Sequence, residues 1–294
     1  MKRRAFMKAG ALGAAGLALG ARPRLQRPGT IKKAVKFGMV HEELSVLEKF
    51  ALLKSLGFDG VELGSPNNLD RGEVVAAREA TGLPVHGVVD SVHWEKTLSH
   101  QDAAVRAEGL AGLMTALDDA HAYGASTVLL VPAVVNKDVS YAEAYTRSQA
   151  EIRKALPKAQ ELGVKIAFEN VWNMFLLSPL ECARYVDEFE SDHVGWYFDV
   201  GNVVTYGWPE HWIRILGHRI LKLDIKEYSR AKRDREGPFA GFRVPLGEGD
   251  CDWPAVTAAL AEIGYEGWAT AEIPGGDSTR LQEIARRIDS ILPT

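Results

Sequence analysis

The chain has 294 residues, of which 46% are hydrophobic and 25% charged, enough for one large core or two small ones. Its formal charge of −4 is unevenly spread: seven of the 35 basic residues and none of the 39 acidic ones fall within 1–28, so the remainder stands at −11. That acidity argues against a nucleic-acid or anionic-membrane partner, Cys182 and Cys251 alone exclude a disulfide framework or Cys-based zinc site, and no run of about 18 apolar residues follows the N-terminal segment.

Chain order begins with Met1-Lys2-Arg3-Arg4-Ala5-Phe6-Met7-Lys8, a Gly/Ala-rich stretch over 9–21, then Arg22-Pro23. A charged region, a short apolar region and a small-residue exit read as an export signal. Arg-Arg-x-Phe-x-Lys resembles the twin-arginine signal, which directs folded proteins to the periplasm. Residues 1–30 are therefore a twin-arginine-type signal segment and 31–294 the folded domain, with no stable membrane association once the signal is removed.

From Lys36 onward, short β-branched runs alternate with stretches of helical period. Strands are expected at 36–40, 60–63, 85–89, 127–131, 165–169, 195–199, 220–225 and 268–272. Helices are expected at 45–56, 103–123, 141–162, 179–189 and 253–263. Gly57, Gly124, Gly163 and Gly264 follow helical stretches, where a left-handed residue ends a helix and feeds the next strand. Eight βα units in this length predict a single-domain (β/α)8 TIM barrel. A doubly wound open sheet is the alternative, weakened by the absence of G-x-G-x-x-G after the first strand. The charge-dense stretch 229–237 reads as a solvated loop rather than an anion site.

A barrel builds its active site at the C-terminal ends of its strands. There the last four predicted strands carry Glu169, Asp199, Asp224 and Glu272. A buried unpaired carboxylate is costly, and four on successive strands would converge on one point that a divalent cation bound by oxygens would satisfy. Singly, each has an ordinary alternative: Asp199 can cap a turn, and Lys226 can pair with Asp224, two residues away on the same strand. Of eight histidines only His41, His86 and His93 lie near strand ends.

Phe168-Glu169-Asn170-Val171-Trp172-Asn173, Tyr197-Phe198-Asp199-Val200-Gly201-Asn202 and Gly247-Glu248-Gly249-Asp250-Cys251-Asp252-Trp253 resemble motifs of the xylose isomerase-like TIM barrels of the sugar phosphate isomerase/epimerase group, which includes ketose 3-epimerases and hydroxypyruvate isomerase. The resemblance spans about 35–292. It implies a metal site of Glu169, Asp199 and Glu272, with Asp224 standing where the family has histidine. It further implies Glu169 and Glu272 as the acid/base pair of an isomerase or epimerase working through an enediolate, and Glu62, His93, Asn170 and Lys226 as substrate contacts. An all-carboxylate set suits Mn2+ or Mg2+ better than Zn2+ or Co2+. Trp94 and Trp172 offer apolar faces to a sugar. The expected partner is a small-molecule sugar, unphosphorylated if the chain is exported, and homo-oligomers are common among similar proteins. Alternatives are a 3-keto-glycoside lyase or hydratase, and a non-catalytic sugar-binding barrel whose metal site is degraded. An endonuclease is disfavoured by the acidic body and the lack of histidines at these strand ends.

Overall fold

The computed structural model describes residues 31–292; the segment 1–30, expected as an export signal, and the last two residues lie outside them. Eight parallel strands close into a barrel in sequence order: β1 Ile31–Lys36, β2 Gly60–Ser65, β3 Val85–Asp90, β4 Thr127–Leu130, β5 Lys165–Glu169, β6 Val194–Asp199, β7 Ile220–Ile225 and β8 Gly267–Ala271. The ring is sealed by β1 on β8, with Ile31 opposite Gly267 and Val35 opposite Ala271. The helices are α1 Val46–Ser55, α2 Arg71–Thr81, α3 Ala103–Tyr123, α4 Tyr141–Leu162, α5 Pro179–Asp187, α6 Val200–Val204, α7 Pro209–Leu216, α8 Arg230–Glu236, α9 Trp253–Glu262 and α10 Ser278–Ile291. Among the described residues no helix is long and apolar enough to cross a membrane.

Local chemistry sets the helix ends. Ser45 and Ser140 each form a reciprocal capping box, with Glu48 and Glu143 respectively, satisfying two backbone donors that a helix start leaves free. Gly124 and Gly163 end α3 and α4 at φ of 75° and 66°, a conformation a side chain disfavours.

Two expectations are corrected. The first strand is Ile31–Lys36, and 37–39 form a 3-10 turn. Its alternation is masked by three lysines, two of which find carboxylates far along the chain: Lys33 Nζ donates to Asp289 at 2.6 and 2.7 Å, and Lys36 turns into the barrel mouth. The stretch 229–237, expected as a loop, contains α8. Ser229 caps it, and two of its cations donate to carbonyls, Arg230 to Val204 and Gly207 and Arg233 to Thr205, while Arg235 stays exposed.

The main core fills the space between strands and helices, with Phe50, Leu117, Ile152, Phe168, Trp196 and Val256 among its buried members. The lumen is different. Its apolar cluster is only Leu129, Ala167 and Tyr197, with Val89 and Leu221 packed against it. Polar groups fill the rest: Tyr197 Oη donates to Glu62 at 2.8 Å and lies 3.0 Å from Thr270 Oγ1, which is 3.1 Å from His86 Nε2. Lys222 donates to the His86 carbonyl. Burial pushes this lysine down to about 7, against the opposing pull of Glu62 and Asp224.

Candidate metal and sugar site

Parallel register brings the strand-end carboxylates level. Asp199 pairs with Asp224, and Asp224 with Thr270 two residues before Glu272, whose amide donates to Ile225 O. Glu169 closes β5 beside Tyr197. One ligand oxygen from each of Glu169, Asp199, Asp224 and Glu272 lies within 4.8 Å of the others. All but Glu272 are buried. Asp199 also caps α6, accepting from Asn202 N at 2.8 Å, so the capping role and a place in the cluster coexist.

Two lysines enter the ring, and the pairing differs from the expected one. Lys226 turns away from Asp224 to Asp199 at 3.0 Å and Glu272 at 2.5 Å. Asp224 is held instead by Lys36, at 3.0 Å, which also reaches Glu272 at 2.9 Å and Glu62 at 3.3 Å. Sequence reasoning missed Lys36 altogether. Four carboxylates thus share two ammonium groups, and Glu169 pairs with neither.

The electrostatics follow. Burial pushes Glu169 well above its ordinary range, and Glu272 adds repulsion. Asp224 is likewise raised by burial, with Lys36 opposing and Glu272 and Glu62 repelling. In Asp199 burial wins over the attraction of Lys226. At Glu272 burial is outweighed by Lys36 and Lys226, which hold the carboxyl down at about 2. Burial works against both ammonium groups, but the surrounding carboxylates raise them.

The ring remains short of positive charge. Glu169 Oε1 and Asp224 Oδ1 are buried with no hydrogen-bond donor, a costly condition for carboxylate oxygens. Clustered hard oxygens with unpartnered lone pairs and surplus negative charge fit a divalent cation.

The remaining expected residues divide. Lys226 lines the cavity above the ring. Asn170 is consumed in joining β5 to β6: its Nδ2 donates to Asp199 O, and its Oδ1 accepts from Asp199 N and Trp196 Nε1. Glu62 sits within the lumen under Lys36, 1% exposed. His93 is buried, with Nδ1 accepting from Val131 N at 3.1 Å; burial, then the charge of Lys36, push it down to about 3, so its ring is neutral. Asn202, not expected, lines the cavity, donates to Asn170 O and accepts at its own carbonyl from Trp172 Nε1. The Gly247–Trp253 motif wraps a buried carboxylate: Glu227 accepts from the amides of Gly247 and Cys251 and from Trp253 Nε1. A Cβ on Gly249 would meet Glu227 Oε1 at 2.5 Å.

Above the ring opens a cavity of about 570 Å3. Trp94 after β3, Trp172 after β5, Phe239 and Phe242 after β7, and Ile273 and Pro274 after β8 form its apolar walls.

Comparison with known proteins agrees with this architecture. Residues 50–291 match the family model described as xylose isomerase-like TIM barrel. An L-ribulose-5-phosphate 3-epimerase of Escherichia coli O1:K1 is 26% identical over 284 residues, covering 86% of this chain and 94% of the relative. Among solved structures, a 3-keto-D-glucoside 4-epimerase from E. coli superposes with a TM-score of 0.73 at 18% identity, covering 89% of this chain and 99% of the other. A D-allulose 3-epimerase from Methylomonas sp. gives 0.73 at 18%, covering 90% and 99%.

Proposed function

Because the chain belongs to the xylose isomerase-like TIM barrel family, we propose that it is a metal-dependent, isomerase-class enzyme that epimerises or isomerises an unphosphorylated ketose or keto-sugar. The observation that carries this is the ring of Glu169, Asp199, Asp224 and Glu272, converging within 4.8 Å and holding donor-free oxygens. A divalent cation held by these four, Mn2+ or Mg2+ by the hardness of the donors, would supply positive charge at the sugar's carbonyl and neighbouring hydroxyl.

The chain's own groups account for the rest. Removing a proton from the carbon beside a carbonyl leaves an enediolate, and inverting that carbon takes a base on one face and an acid on the other. Glu169 and Glu272 come from β5 and the end of β8 and are the pair for these roles, which exchange with reaction direction. Lys226, between Asp199 and Glu272, holds a fixed positive charge at the cavity floor that favours the anion over the neutral ketone. With a sugar bound against them, the apolar walls would shield the reacting carbon from water.

An unphosphorylated substrate is supported by the cavity: among its described lining residues Lys226 is the one cation, and it is spent on carboxylates. Export of the folded protein by the 1–30 segment belongs to the same reading, since sugar phosphates are mainly cytoplasmic metabolites.

The test is incubation with keto-sugars in D2O with added Mn2+, followed by NMR and mass spectrometry. Deuterium at the carbon beside the carbonyl, with an epimer or isomer of otherwise unchanged mass, supports the proposal. Release of a substituent would favour the lyase; absence of exchange with every sugar would favour a binding protein.

A further inference from the structure

The cavity is wider and more aromatic than the carboxylate ring requires. Its volume of about 570 Å3 lies in the range that takes drug-sized ligands, and its polar groups sit at the end where Lys226 and Glu272 meet the ring. Elsewhere the walls are apolar: four aromatic rings with Val171, Ile273 and Pro274. Trp172 is fixed by its Nε1 hydrogen bond to Asn202 O and by packing on Phe242 at 5.0 Å, which itself packs on Tyr228 at 4.8 Å. Against this fixed panel lies Phe239, 5.3 Å from Trp172 and 70% exposed. Trp94 follows β3, four strands around the ring from the β7 loop that carries Phe239 and Phe242, and is 49% exposed. Two solvent-facing aromatic surfaces on opposite sides of one opening form an apolar patch at the mouth of a polar site.

We propose that these walls form a subsite for an aromatic ring attached to the sugar, so that the substrate is the keto form of an aryl glycoside, whose ring ketone supplies the carbonyl that the enediolate chemistry needs. The inference rests on the sugar-enzyme reading above and extends it to the substrate class. A planar apolar group between Trp94 and the Trp172–Phe239–Phe242 panel would gain area burial and offset or edge-on ring contacts. A phosphate at the same place would need uncommitted donors. Lys226 is engaged by two carboxylates; Arg230, Lys232 and Arg233 of the nearby α8 donate to backbone carbonyls, and the exposed Arg235 and Arg243 are not among the residues that line the cavity.

The experiment compares binding of methyl and phenyl β-D-glucosides, in parent and 3-keto forms, with glucose 6-phosphate, by isothermal titration calorimetry on the full protein with Mn2+ present. Phenyl glycosides are expected to bind at least about tenfold more tightly than methyl ones. Phe239→Ala, at an exposed position where folding is not at stake, is expected to reduce that ratio to about threefold or less. Equal affinity for phenyl and methyl forms overturns the subsite while leaving the sugar enzyme intact, as does tighter binding of the phosphate. Failure of all these glucosides to bind overturns the subsite, and the sugar-enzyme reading falls with it only if the keto-sugars of the D2O experiment also show no exchange.

Discussion

Between strands and helices the barrel is packed as any soluble core, with Phe50, Leu117, Ile152 and Val256 sealed from water, and its buried helix carboxylates Asp119 and Glu151 are each matched by an arginine, Arg71 and Arg106. Inside the ring the order is reversed: Glu62, Asp199, Asp224 and Lys222 are sealed just as completely, and apolar contact is confined to a small cluster around Leu129, Ala167 and Tyr197. Burial that stabilises the first region is a penalty in the second. The shell therefore supplies the stability that lets the lumen hold unfavourable charges at fixed positions, and those charges are the ones that the proposed function uses to bind a cation and move protons.

Variants can break this division. The largest effect is expected from Glu169→Gln or Glu272→Gln, each lowering the deuterium-exchange rate by about 10³-fold or more with an unchanged circular dichroism spectrum. Wild-type exchange in either would remove that residue from the acid/base pair. Next is Lys36→Met, which leaves Asp224 buried without its ion-pair partner and costs about 3–5 kcal/mol. Added Mn2+ should recover much of that loss in a thermal melt, because the cation replaces the missing charge. In the shell, Leu117→Ala is expected to cost about 2–5 kcal/mol as a cavity, and Mn2+ should raise its melt no more than it raises the wild type's, since the metal site is intact. If both variants respond alike to metal, the two regions are not energetically distinct.

The smallest effect concerns Asp90, at the end of β3 and 1% exposed. Burial pushes its carboxyl up to about 7, against a weaker opposing hydrogen bond from Val92. The folded chain then holds this proton more tightly than the unfolded chain, whose carboxyl titrates near about 4. This group's contribution to stability is therefore largest below about pH 4 and falls as pH rises toward 7. Asp90→Asn should flatten that slope and stabilise the protein at pH 8 by about 1 kcal/mol or more, measured by urea unfolding across pH.

The shell was legible because its signals are local. Apolar period and C-capping glycines place α3 and α4 at 103–123 and 141–162 as the structure has them. The carboxylates were legible for the same reason, each standing at or beside the exit of its own apolar run. What joins them was not. Lys36 and Asp224 are 188 positions apart and meet only because β1 closes the barrel on β8. The same lysine helped hide β1 by interrupting its alternation. Asn170 stands within a family-like motif, but its side chain is consumed by the β5–β6 junction, a use visible only once the strands are paired. Phe239 follows the charged run of α8, where nothing local marks it as part of a sugar-site wall.

The central claim is that the carboxylate ring holds one divalent cation in spite of its two lysines. It is tested most directly by titrating Mn2+ into chelator-treated protein by calorimetry, beside Glu169→Gln and Asp224→Asn. The account predicts one site per chain in the wild type, weakened or lost in both variants. No binding at millimolar Mn2+, or binding that both variants retain unchanged, would contradict it and leave Lys36 and Lys226 as the ring's own cations.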